Sequence, residues 1–177
     1  MMSRFLSLPM VALVCTGLGR ADDSKVQDFT SKEGKFSVAF PGKPKEATKD
    51  ADSAAGKLSF TRFTYEDGDT GLLVIYCDYP PKLRKEKGAE KILDDARDGC
   101  VEKAKGKLTD EKKRTIGKDK EPGRELLIQL PDEGKPYFRS RMYLVGDRLY
   151  QVIVVGPEKY ATGKDADAFL DSFKLAE

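Results

Sequence analysis

The run Leu72-Leu73-Val74-Ile75-Tyr76-Cys77 constrains the fold more than any other part of the chain. Its residues are apolar at both parities. It sits between the turn residues Asp67-Gly68-Asp69-Thr70-Gly71 and the stop Pro80-Pro81, and its length and β-branched content suit a strand. Successive side chains of a strand point to opposite faces. A strand apolar on both faces needs cover on both, which predicts a central position in a sheet with a further layer on each side.

The remaining segments supply the rest of such a sheet. Residues 35–40 alternate, with Phe36, Val38 and Phe40 on one face, until Pro41-Gly42-Lys43-Pro44 ends the strand. Residues 45–57, rich in Ala, Lys and Asp, read as a loop. Residues 58–66 form a strand whose apolar parity switches between Phe60 and Phe63, the sign of a bulge or of cover on both faces. Residues 89–105 place Ala89, Ile92, Leu93, Ala96, Cys100, Val101 and Ala104 on one helical stripe. Gly99 within it costs up to about 1 kcal/mol relative to Ala. Residues 109–116 form a charged strand suited to a sheet edge, where Lys discourages further pairing.

Residues 123–130 form a stronger strand. Residues 137–145 and 148–155 then flank Gly146-Asp147, and a two-residue loop with Gly first fits a type II′ hairpin. Residues 165–173 close the chain with a helix that presents Ala166, Phe169, Leu170 and Phe173 together. The expected order is three strands, a helix, four strands and a helix in one α+β domain over 35–177, preceded by a flexible lead-in over 22–34.

Residues 1–21 have the layout of a secretory signal peptide. Arg4 precedes an apolar stretch free of acids and bases, and Gly19-Arg20-Ala21 places small residues where a signal peptidase reads, with cleavage expected after Ala21. The stretch is shorter than the roughly 20 apolar residues a membrane helix needs. The expected location is therefore periplasmic or extracellular, with no transmembrane span in the mature chain. Lipoprotein anchoring at Cys15 is disfavoured because Val14 before it is not small.

Charge and composition exclude several classes of function. Loss of residues 1–21 removes Arg4 and Arg20 from 32 bases, leaving 30 against 30 acids and a neutral mature chain. Nucleic-acid binding rests on an excess of Lys and Arg, so no nucleic-acid partner is expected. The sequence holds no His, which removes the usual general base near neutral pH and the commonest transition-metal ligand. The acid pairs Asp67/Asp69, Asp94/Asp95 and Asp165/Asp167 lack the spacing of a calcium loop. Gly156 to Lys164 has six residues between its glycines and Asp165 after the lysine, so it is not a phosphate loop. No cofactor, metal or catalytic residue is expected.

Three stretches carry a family resemblance: Phe36-Ser37-Val38-Ala39-Phe40-Pro41-Gly42-Lys43-Pro44; Arg141-Met142-Tyr143-Leu144-Val145-Gly146-Asp147-Arg148-Leu149-Tyr150-Gln151-Val152; and Phe169-Leu170-Asp171-Ser172-Phe173-Lys174-Leu175. Together they resemble small exported bacterial proteins of the PsbP-like class, many of them uncharacterised. The resemblance implies a single-domain α/β/α sandwich, a twisted antiparallel sheet with helices on both faces. It also implies a non-catalytic accessory or assembly role. These stretches are strand, turn and core positions and specify a fold more than a chemistry.

Two groups of residues remain as candidate sites. Arg139, Arg141 and Tyr143 share a strand parity, and the hairpin brings Arg148 and Tyr150 close to Tyr143. Guanidinium forks between phenols suit a carboxylate, a phosphate or an acidic peptide. The plainer reading is a half-covered face with Arg stems lying on apolar surface. Cys77 and Cys100, on the central strand and the following helix, form a candidate disulfide in an oxidising compartment. Two buried thiols acting as small hydrophobes are the alternative. The expected role is an exported non-catalytic binding or assembly module of the cell envelope with a protein partner. The alternative is an extracytoplasmic hydrolase or redox enzyme, which predicts coupled carboxylates or a reactive thiol in a deep pocket.

Overall fold

The computed structural model describes residues 27–53, 56–131 and 133–176, so the expected signal peptide at 1–21 and Cys15 within it lie outside the described residues. Ten strands and four helices follow in the order β1 Gln27–Ser31, β2 Phe36–Phe40, β3 Lys45–Ser53, β4 Gly56–Asp67, β5 Thr70–Asp78, α1 Leu83–Lys87, α2 Ala89–Ala104, β6 Lys107–Ile116, β7 Glu121–Gln129, β8 Tyr137–Val145, β9 Arg148–Gly156, α3 Glu158–Ala161, α4 Lys164–Ser172 and β10 Lys174–Leu175. A seven-stranded sheet in the order β3-β4-β5-β9-β8-β7-β6 dominates the molecule, and a small sheet, β1-β2-β10, accompanies it. All pairings are antiparallel.

The double-sided run sits where its composition requires, as β5 between β4 and β9. Leu72, Val74 and Tyr76 are buried on one side; on the other, Cys77 is buried but Leu73 and Ile75 are only half-buried. The Gly146-Asp147 hairpin joins β8 to β9 with Val145 opposite Arg148. Gly146 has φ 59° and Asp147 does not take a positive φ, the combination a type II′ turn requires.

Several segments depart from the sequence expectation. Residues 45–53 are a strand rather than a loop, in continuous register with β4 from Lys45 opposite Thr64 to Ser53 opposite Gly56. The strand is exposed along most of its length, as an edge strand is. Its pairing with β4 overrides its poor intrinsic preference. Residues 27–31, within the expected flexible lead-in, pair with β2 from Gln27 opposite Phe40 to Ser31 opposite Phe36. Phe29 anchors them, packing against Phe36, Phe40 and Phe63.

The parity switch in β4 is not a bulge. Its register is unbroken, so Phe60 and Phe63 belong to opposite sides of the sheet. The irregularity falls instead in β6, between Leu108 and Asp110. The basic stretch after Pro81 contains a short helix, α1, set off from α2 by Gly88 at φ 78°.

Alternate side chains of the large sheet build two cores. In the first, Phe63, Val74, Tyr76, Tyr143, Tyr150, Val152 and Val154 pack with Phe36, Val38 and Phe40 of the small sheet and with Phe169 and Leu170 of α4. In the second, Leu126, Ile128, Met142, Leu144 and Leu149 pack with Ile92 and Leu93 of α2. Each such fully buried side chain contributes roughly 1.5–3 kcal/mol relative to an exposed one.

Candidate functional site

The five residues expected to present a guanidinium and phenol row are built into the first core and its margin. Tyr143 and Tyr150 are 6% and 3% exposed and pack on Phe173. Arg141 is 8% exposed. Its Nε donates to Glu125 Oε2 at 2.9 Å and its Nη1 to Asp171 Oδ1 at 2.6 Å. Arg139 donates to Glu125 Oε1 at 2.7 Å and pairs with Asp167 at 2.8 Å. Arg114, from the edge strand, completes the cluster with a 2.7 Å contact to Glu125 Oε2. Three guanidiniums thus meet three carboxylates, and the heads of Arg139 and Arg141 are occupied within the chain rather than offered to solvent.

Burial pushes the Glu125 carboxyl up, but Arg139 and Arg141 outweigh it and hold the group at about 2. A carboxylate held that low is no general acid or base near neutral pH.

Arg148 and Tyr150 act on a different target. The Tyr150 hydroxyl donates to the Gly34 carbonyl at 2.7 Å and Arg148 Nη1 to the Glu33 carbonyl at 2.7 Å. Arg148 also forks onto both Asp78 oxygens, at 2.6 and 2.7 Å, and lies over the Tyr76 ring at 4.7 Å. Together they clamp the β1–β2 turn against the large sheet. The structure therefore brings Arg139 and Arg141 together at Glu125 and gives Arg148 a separate task.

Cys77 and Cys100 are both free. Burial raises the Cys77 thiol to about 12, and burial also raises Cys100. Gln151 Nε2 donates to Cys100 Sγ at 3.4 Å. Cys77 is buried and Cys100 half-buried, and thiols whose protonated form is favoured by burial are poor nucleophiles.

The sequence did not announce a large concavity, a half-open groove of about 1280 Å³ between α2 and the β3–β4–β5–β9 part of the sheet. It forms because α2 packs chiefly on β7 and β8, leaving this part of the second side uncovered. Register places the exposed rows. Lys49 of β3 lies opposite Phe60 of β4, and Ala47 opposite Arg62, which in turn faces Ile75 and, across β5, Gln151. Leu58, Ile75, Leu149 and Ile153 supply an apolar floor, and Ile92, Ala96 and Ala104 of α2 an apolar wall.

Burial raises the Tyr79 hydroxyl at one end, which keeps it a neutral donor. The legible signals were Ile75, on the second parity of β5, and Phe60. Both promised burial that the chain itself only half provides.

Charges rim this groove. Asp95 is held by Lys87 and Lys91, and Asp98 by Arg97. Lys49, Arg62 and Lys103 have no ion-pair partner among the described residues, although Lys103 Nζ stands 5.6 Å from the centre of the Phe60 ring. No helix among the described residues is long and apolar enough to cross a membrane.

No family model matches the chain, and no curated protein does. Among solved structures, cyanobacterial PsbP (CyanoP) from Synechocystis sp. PCC 6803 is similar with a TM-score of 0.61 and 16% identity, over 91% of this chain and 96% of that one. A Pseudomonas aeruginosa protein of unknown function, PA94, described as a putative regulator, matches with a TM-score of 0.38 and 11% identity, over 80% of this chain and 90% of that one. The second likeness is too weak to carry an argument. The first bears on the fold and not on the chemistry: the chain has a PsbP-like α+β fold.

Proposed function

We propose that this protein is an exported, non-catalytic binding module of the cell envelope, and that its working surface is the groove between α2 and the β3–β4–β5 part of the sheet. The observation that carries the proposal is the groove itself. The central strand leaves Ile75 half-covered beside the half-buried Phe60, in a concavity of about 1280 Å³. Apolar surface arranged as a concavity with a polar rim is the form that binding sites take. The layout of residues 1–21 supports export, and the PsbP-like fold supports an accessory or assembly role in which an envelope or extracellular protein is the partner. The two cores support the finer architecture of that class, with α2 against Met142 and Leu144 and α4 against Val152 and Val154.

The groove is a stronger candidate surface than the Arg139/Arg141 row, because those guanidiniums are paired inside the chain. A photoreactive residue at position 75 or 60, introduced in intact cells, is expected to trap one partner protein reproducibly. The same residue at position 139 is expected to trap none. Trapping from 139 and not from the groove would move the working surface to the arginine row. Trapping from neither would remove the reading.

A further inference from the structure

We infer that the groove binds the hydrocarbon chain of a single-chain anionic amphiphile, a fatty acid by chemical class, with its carboxylate at the cationic end around Phe60. The inference rests on the groove being the working surface, and it names the chemistry of what fills it.

The cations are gathered rather than scattered. Lys49 lies directly across from Phe60 on the neighbouring strand. Arg62 follows Phe60 by two residues, on the same side of the sheet. Lys103 reaches over the ring from α2. All three are exposed, and none has an ion-pair partner among the described residues. Of the acids along the rim, Asp95 and Asp98 are neutralised by their own bases.

Asp52 and Glu102 also line the groove with no ion-pair partner among the described residues, so three such bases there face two such acids. Asp52 has the opposite strand parity to Lys49. Glu102 precedes Lys103 on α2, so its side chain leaves the helix about 100° away. The cluster around Phe60 is therefore a positive end, and guanidinium and ammonium groups beside apolar surface are what a carboxylate head requires.

Beyond that end the floor is hydrocarbon. Leu58, Ile75, Leu149 and Ile153 line it, while Gln151 already donates to Cys100. Such a floor offers little to a polar chain and much to an apolar one. The volume, about 1280 Å³, exceeds the roughly 300–1,000 Å³ of ordinary small-molecule pockets and leaves room for a long, flexible chain.

The test is calorimetric titration of the purified protein with sodium dodecanoate and, at the same chain length, with dodecyltrimethylammonium chloride, both below micelle-forming concentrations. Dodecanoate is expected to bind at one site and at least about tenfold more tightly than the ammonium amphiphile. Arg62→Glu combined with Lys103→Glu is expected to abolish that preference. Both residues are exposed, and an unchanged melting curve shows that the variant is folded. Ile75→Asp is expected to abolish uptake of both amphiphiles.

Equal affinity for the two head groups, or no uptake of dodecanoate by the folded protein, overturns the inference. If dodecanoate fails while a probe at position 75 still traps an envelope protein, the inference falls and the proposed function stands. Silence in both experiments removes both.

Discussion

The large sheet carries the same alternation on its two sides, yet the sides finish differently. On the Phe36 side, β1, β2 and β10 and the helix α4 cover the strands, and the rings of Phe29, Phe36, Phe40, Phe63, Phe169 and Phe173 interlock. Polar groups there are paired, as at Glu125, or hold a turn in place, as do Arg148 and Tyr150. On the Ile75 side, α2 covers β7 and β8 and leaves an apolar trough over the other strands. Apolar content alone does not separate a core from a binding surface. What separates them is whether the chain supplies its own cover.

The comparison can be broken by substitution on each side. Phe36→Ala opens a cavity in the closed core, where the ring is 0% exposed. It is expected to cost about 3–5 kcal/mol in chemical denaturation. Glu125→Gln leaves three arginines facing two acids at the margin of the same core, and is expected to cost about 3 kcal/mol. A loss below about 1 kcal/mol in either variant would show that this side is less tightly built than its packing implies.

The same carboxylate sets an acid limit. Its folded value, about 2, lies below its ordinary value of 4.5. Its contribution is fully present above about pH 4.5 and is lost as the pH falls toward 2, by about 3 kcal/mol in total. Asp78, lowered by its hydrogen bond to Arg148, acts in the same direction. Urea unfolding between pH 5 and 2 is expected to show the decline, and Glu125→Gln is expected to flatten it.

On the open side the effects shrink. Ile75→Ser, at a half-covered position, is expected to cost about 1 kcal/mol while weakening capture by the groove. A cost as large as that of Phe36→Ala would mean that the trough is core after all. The smallest effect concerns the thiols. Cys77 and Cys100 are expected to resist iodoacetamide at pH 8 in the native protein and to react in urea, as followed by mass spectrometry. Rapid native labelling would contradict the burial that raises both.

The elements legible in the sequence were those whose own side chains demand a partner layer. β5 announced a central position through its two apolar parities. α2 and α4 announced themselves by stripes, and the β8–β9 hairpin by Gly146. β3 was not legible, because Lys45–Ser53 has almost nothing to bury and exists as a strand through its register with β4. β1 was missed for a related reason: one residue, Phe29, anchors an otherwise polar segment.

The arginine row was correctly placed on one strand parity. Its neutralisation depended on Glu125, Asp167 and Asp171, which come from another strand and from a helix about thirty residues downstream. The groove was least legible of all. It is a gap in the cover, defined by where α2 does not reach, and a gap has no sequence pattern of its own.

The pairing of β10 with β2, Lys174 opposite Ser37 and Leu175 opposite Phe36, bears on the order of assembly. These partners stand near opposite ends of the described chain, so their contact closes the longest loop of any strand pairing among the described residues and carries the largest closure entropy. The β8–β9 hairpin, by contrast, can pair locally as soon as it is made. Phe36 and Phe173, which touch in the finished core, would therefore remain apart through most of folding. On this ground the aromatic side is expected to be the last part of the molecule to close, since Phe36 gains its contact with Phe173 only when the final helix and strand dock.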